Sequence, residues 1–168
     1  MNWTKLGRLF DPSEHGMLFA QSPQVLDCGD RLRIYFSTRQ REESGKFLSH
    51  IAYVEFDRDL KRIVEVSDHE VIPLGNLGTH DEHGIFPMNV LRHKGVVYGF
   101  TSGWSRRVAV SVETGIGLAV SEDEGRTFKR SGDGPILSAT AHEPFLVGDP
   151  FVIVDGDTWH MWYIYGTR

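Results

Sequence analysis

The sequence predicts an all-β fold, a β-propeller of four-stranded antiparallel blades. Three segments repeat one plan: Ser22-Pro23-Gln24-Val25-Leu26 leads to Arg33-Ile34-Tyr35-Phe36, Phe86-Pro87-Met88-Asn89-Val90-Leu91 to Val97-Tyr98-Gly99-Phe100, and Asp149-Pro150-Phe151-Val152-Ile153-Val154 to Trp159-His160-Met161-Trp162-Tyr163. Their prolines lie 64 and then 63 positions apart. A long period built from short strands marks units whose apolar faces only their neighbours can cover. No window carries a sustained helical period, which leaves strands as the building material.

Each repeat opens on proline and continues in β-branched and apolar residues, as suits a strand whose first residue need not donate a ladder hydrogen bond. A turn follows at 27–30, 92–95 and 155–157, and then an aromatic-rich second strand, so every copy reads as a hairpin. Strands at 49–57, where Ile51, Tyr53 and Glu55 alternate with Ala52, Val54 and Phe56, and at 63–66 complete the first unit. Strands at 115–120 and 127–130 complete the second, before the linker Gly134-Pro135-Ile136-Leu137. The expected blades are about 19–75, about 85–138 and an incomplete third at about 148–168, in one partial propeller domain spanning 1–168. That is about 2.6 units, against five in a full ring of this kind, and it leaves the aromatic last strand as an apolar edge open to self-association.

Composition removes several classes. The net charge of −5 offers no field for nucleic acid, and no apolar stretch approaches the roughly 20 residues of a membrane helix. One cysteine, Cys28, excludes an internal disulfide and fits a reducing compartment; with no apolar leader at the N-terminus, the expected location is cytoplasmic. The chain has no G-x-S-x-G elbow, phosphate-binding P-loop or dinucleotide fingerprint, and no cofactor is expected.

Between the last two strands of the second unit stands Ser121-Glu122-Asp123-Glu124-Gly125-Arg126-Thr127-Phe128, which matches the Asp-box pattern S-x-D-x-G-x-T-[W/F] of sialidase-like and other glycosidase propellers. Its physics is a folded turn. The Ser and Asp side chains bond nearby amides, Gly takes the positive-φ corner, and the aromatic plugs between strands.

Chemistry is expected where the innermost strands deliver their leading ends to a shared funnel. Thr79-His80-Asp81-Glu82-His83-Gly84 gathers two carboxylates and two imidazoles ahead of Pro87, enough for a general acid and base; a solvated loop whose Asp caps its own turn is the alternative. His142-Glu143 and Asp149 precede Pro150. Glycosidases place two carboxyls about 5 to 5.5 Å apart for retention or about 6.5 to 9.5 Å for inversion, spacings that adjacent blades can supply. Asp81, Glu82, Asp149 and Glu143 are therefore the catalytic candidates, with His83 as an orienting partner. Second strands end in Arg39 with Arg41, Arg106 with Arg107, and Arg168, a rim suited to a carboxylated or phosphorylated sugar, or to salt bridges with loop acids. Trp104 is placed to stack on a sugar face or to pack between strands. His80 and His83, three apart in a loop with no H-E-x-x-H helix and no cysteine partner, are not assigned to a metal.

Taken together, Asp81-Glu82-His83-Gly84-Ile85-Phe86-Pro87, Gly103-Trp104-Ser105-Arg106-Arg107, Ile116-Gly117-Leu118-Ala119-Val120-Ser121, Gly134-Pro135-Ile136-Leu137 and Met161-Trp162-Tyr163 resemble five-bladed β-propeller proteins related to glycoside hydrolase families 32, 43 and 130. More narrowly they are similar to bacterial glycosidase-like members found near polysaccharide genes. The resemblance runs from about residue 19 to 168 and implies cleavage or transfer of a glycosidic bond in an oligosaccharide or polysaccharide. Members carry Asp at the leading end of the first blade, where this chain has Gln21-Ser22-Pro23, so Asp81 or Glu82 would take that role. The competing expectation is a glycan-binding or assembly propeller without turnover, or an inactive fragment of a longer enzyme.

Overall fold

The computed structural model describes residues 2–167. They are all-β apart from one 3-10 turn, Pro12–His15. Blade one is a meander of β1 (Gln21–Asp27), β2 (Arg31–Arg41), β3 (Phe47–Asp57) and β4 (Ile63–Val66). Blade two repeats it with β5 (Gly84–His93), β6 (Val96–Arg106), β7 (Val112–Ser121) and β8 (Lys129–Arg130). Blade three is the hairpin β9 (Val147–Asp155) and β10 (Thr158–Tyr165). The described chain is thus a β-propeller segment of two full blades and half of a third.

The repeated prolines mark a structural device. In each innermost strand the register slips by one residue at the proline, between Gln21 and Gln24, Ile85 and Met88, and Gly148 and Phe151. A bulge leaves one residue unpaired and re-aims its side chain. Ser22 and Asp149 hold the position before proline with φ of 53° and 51°, and Phe86 occupies the equivalent place before a cis Pro87. The strands β1, β5 and β9 pack side by side, so these three residues ring a common axis.

Asn89 ties those strands together. Its amide is 3% exposed; its Nδ2 donates to Gln24 Oε1 on β1 at 3.0 Å, and its Oδ1 accepts from the Val152 N–H of β9 at 3.0 Å. Blade three also hangs from blade two through Ser102 Oγ, which accepts from the Asp149 N–H, and Thr114 Oγ1, which donates to the Val147 carbonyl.

Alternation along β2 and β3 gives blade one two apolar faces. Tyr35, Ile51 and Tyr53 meet Met88, Val90, Val97, Ala119 and Phe128 of blade two in one core. On the other face Phe36, Ala52, Val54 and Phe56 are covered by Phe10 and Met17 from the N-terminal segment. The far face of blade three, with Phe151, Ile153, Trp162 and Ile164, remains exposed.

The Asp-box closes the first interface. Ser121 Oγ donates to Asp123 Oδ1 at 2.7 Å and accepts from the Gly125 N–H, while Asp123 takes the Thr127 amide at 2.8 Å and hydroxyl at 2.6 Å. Glu124 and Gly125 turn the chain at φ of 62° and 87°, which aims their carbonyls at blade one. There the buried Arg33 donates to the Glu124 carbonyl at 2.7 Å and to the Glu55 carboxylate, and the Tyr35 hydroxyl donates to the Gly125 carbonyl at 2.6 Å. A Cβ at Gly125 would overlap the Tyr35 hydroxyl, so glycine is required by contact as well as by φ. Phe128, 2% exposed, then lies edge-on to Tyr35 between the blades. The motif is an inter-blade connector rather than a turn within its own blade.

Burial pushes the Asp123 carboxyl up, but the hydrogen bonds from Thr127 and Ser121 outweigh it and bring the pKa from 3.8 to about 2. A depressed carboxyl contributes stability that is complete above its unfolded value and lost as pH falls. Urea unfolding should therefore lose midpoint between pH 4 and pH 2, and Asp123→Ala should remove that share of the acid dependence. Because the side chain is solvent-facing, the substitution should cost only about 1 kcal/mol at pH 7.

Candidate functional site

One register line crosses both complete blades. Arg39 pairs with Ser49, Ser49 with Gly84 in the single parallel bridge between blades, and Gly84 with Trp104. The Ser49 N–H donates to the His83 carbonyl and the His83 N–H to the Trp104 carbonyl, so this end of the blade interface is stitched through backbone. A Cβ at Gly84 would overlap Trp104 Nε1 and come within 2.8 Å of Ser49 Cβ. Glycine there lets the indole lie flat across the joint.

The result is a cleft of about 400 Å³ lined by Arg39, Lys46, Phe47, Ser49, Phe86, Trp104, Arg106 and Val112. Phe86, the residue before Pro87, brings the axis to its wall. His83 stacks behind Trp104 with centroids 5.9 Å apart and planes at 24°, and the Arg106 guanidinium lies 5.5 Å from the Trp104 ring. Arg106 also spans the blades, donating to the Phe47 carbonyl and pairing with Glu42 Oε2 at 3.0 Å. Arg39 lies over Phe19 at 5.6 Å and makes no ion pair among the described residues. A second cavity of about 410 Å³ opens at the opposite end of the blades. Its arginines are already engaged, Arg31 and Arg33 with Glu55 and Arg92 with Glu124. It is the ion-pair network of the first interface.

The structure brings Arg39, Trp104 and Arg106 to one cleft and Asp149 to the axis, and distributes the other candidates elsewhere. Asp81, expected to face the funnel, is 1% exposed and locked to Arg130 Nε at 2.7 Å, with the Thr79 hydroxyl on its other oxygen. Arg130 in turn donates to the Pro73 carbonyl, so Asp81 anchors the 73–81 loop to β8 and has no face left for a ligand. Beside it, His80 lies against Gly103, Gly115 and Gly117, and burial lowers its pKa against the pull of Asp81. Glu82 accepts from the Gly78 N–H at 2.6 Å and approaches His83 Nδ1 at 3.2 Å. The Arg106 N–H also points at that nitrogen, at 3.3 Å.

Glu143 accepts from the Tyr163 hydroxyl at 2.7 Å, a bond that raises the Tyr163 pKa. Arg107 is exposed and pairs with Glu113 across the β6–β7 hairpin, away from the cleft; Arg41 lies over Phe47 at 5.1 Å; Arg168 is outside the described residues. Asp149 differs from the other acids. Its carboxylate has no hydrogen-bond or ion-pair partner among the described residues, and burial alone raises its pKa.

Lys46, Phe47, Phe86 and Gly84 were not singled out from sequence. Phe86 carried a usable signal, since it occupies the pre-proline register of Ser22 and Asp149. The others reach the cleft only through the β3–β5 bridge. Breaking the Asp81–Arg130 pair with Asp81→Asn should leave a largely buried guanidinium unbalanced and lower urea-unfolding stability by about 3 kcal/mol. Gly84→Ala should displace the indole, read as a shift in Trp fluorescence.

No family model matches the chain. Two uncharacterized proteins of Mycobacterium tuberculosis, from strains CDC 1551 / Oshkosh and ATCC 25618 / H37Rv, are each 32% identical to it over 171 residues, covering 97% of this chain and 54% of theirs. The chain therefore spans about half the length of the curated relatives it matches. Among solved structures, a glycoside hydrolase superposes with a TM-score of 0.61 at 14% identity over 84% of this chain and 46% of its own. The complex of BT0996 with RGII gives 0.60 at 16% identity, over 84% and 46%. Zg3597, a family 117 glycoside hydrolase of the marine bacterium Zobellia galactanivorans, gives 0.60 at 15%, over 84% and 42%. These likenesses establish the propeller fold that the chain shares with glycoside hydrolases.

Proposed function

We propose that the chain is a carbohydrate-active propeller segment that holds a saccharide against Trp104 in the inter-blade cleft and acts on its glycosidic bond from the axis. The observation that carries this reading is Asp149. Among the four candidate acids it alone has a carboxylate with no partner among the described residues, and it occupies the bulge position whose counterpart on the neighbouring strand, Phe86, lines the cleft. A carboxyl whose pKa is raised by burial is suited to protonate a leaving glycosidic oxygen.

Glu82, held by the Gly78 amide and set beside His83, is the proposed partner that draws a proton from attacking water. Asp81 serves this site by positioning: its ion pair with Arg130 fixes the loop that carries Glu82 and His83. An aromatic plane flanked by guanidinium groups is a suitable bed for a sugar ring. The fold shared with glycoside hydrolases supports the reading by analogy only.

A second reading, glycan binding without turnover, is favoured by one specific feature. Ser22 stands at the blade-one bulge, and Glu82 and Glu143 already accept internal hydrogen bonds.

Chromogenic glycosides separate the two. On the catalytic reading Asp149→Asn should lower turnover by at least about 100-fold while leaving the unfolding midpoint in place, in line with the usual share of a general acid. Wild-type activity should fall as pH rises through the elevated Asp149 pKa, because the acid form is the competent one. Binding with no turnover in wild type would decide for the second reading.

A further inference from the structure

We infer that the cleft selects a saccharide bearing an anionic group, a carboxylate or a phosphate, and that Arg39 and Lys46 read that charge. The inference rests on the carbohydrate reading of the same cleft. Three cationic side chains line it, Arg39, Lys46 and Arg106, and no carboxylate does. Arg106 is neutralised by Glu42 and fixed by the Phe47 carbonyl. Arg39 and Lys46 have no carboxylate within salt-bridge distance among the described residues, in a chain whose net charge is −5.

Arg39 is also held incompletely. Its Nε is buried and has no hydrogen-bond partner among the described residues, while its guanidinium plane rests on Phe19. A buried donor without an acceptor is costly, and a guanidinium offers its donors as a planar fork that matches carboxylate and phosphate oxygens. Arg39 and Trp104 belong to the one register line that crosses the blade joint, so a ring stacked on the indole would present an acidic substituent toward blade one. Lys46, exposed just before β3, adds a second charge at the mouth.

The test is calorimetric titration of the whole chain with three probes: a uronate tetrasaccharide, its carboxyl-reduced neutral counterpart, and inorganic phosphate. The uronate should bind at least about tenfold more tightly than the neutral form, and that advantage should shrink as salt is raised, since partly exposed charges are screened. Arg39→Gln should erase most of the advantage while leaving neutral-sugar affinity within about twofold, and the exposed Lys46→Gln should reduce it in part with no effect on folding. Arg39→Lys, which keeps charge but not the fork, should retain only a fraction.

Equal affinity for the two saccharides, unchanged by Arg39→Gln, would overturn the anion inference and leave the carbohydrate reading intact. Phosphate binding that depends on Arg39, with neither saccharide bound, would uphold the anion site and overturn the carbohydrate reading. Binding of none of the three would overturn both.

Discussion

A buried arginine governs the joint between the two complete blades. Arg33 is 3% exposed, and a guanidinium that far from water must have its donors satisfied. Glu55, from the next strand of its own blade, supplies one acceptor, but the Glu124 carbonyl supplies another only when the Asp-box of blade two is folded with its two left-handed residues in place. The charge in one blade therefore enforces the turn in the other. Tyr35 and Phe128 pack around the same contact, so the hydrogen bonds and the apolar core favour one inter-blade geometry.

That geometry propagates along β2 and β3 to their opposite end. With the blades locked at Arg33, β3 meets β5 at the single pair Ser49 and Gly84, and the cleft is the space left beside that pair. Asn89 carries the constraint on to blade three by holding the inner strands at a fixed offset, which places Ser22, Phe86 and Asp149 at equivalent points around the axis. The site is thus a product of inter-blade registration. No single blade contains it.

Electrostatics divides the molecule in two. At the turn end, arginines and acids are matched into a network that joins blades. At the cleft end, Arg39 and Lys46 are left unmatched among the described residues, and Asp149 is left without a donor. Structural charges are compensated internally, whereas groups poised to meet something else are not. The same criterion reassigns Asp81, whose density of polar neighbours in sequence is the loop anchoring itself to β8 through Arg130.

By itself the sequence determined the period, the strands and the Asp-box, because proline spacing, alternation and turn residues act over a few neighbouring positions. It also located the pre-proline register, since a bulge recurring in every blade leaves a mark at a constant interval. Which acids face inward or outward was not legible. Asp81 and Asp149 both precede a repeated proline in an acidic context, yet one meets Arg130, 49 residues away, and the other meets no donor. Nor could sequence show that Arg39 shares a cleft with Trp104, which depends on one parallel bridge between strands of different blades. Long-range contacts decide the surroundings of a charge, and those surroundings decide whether it serves the fold or a ligand.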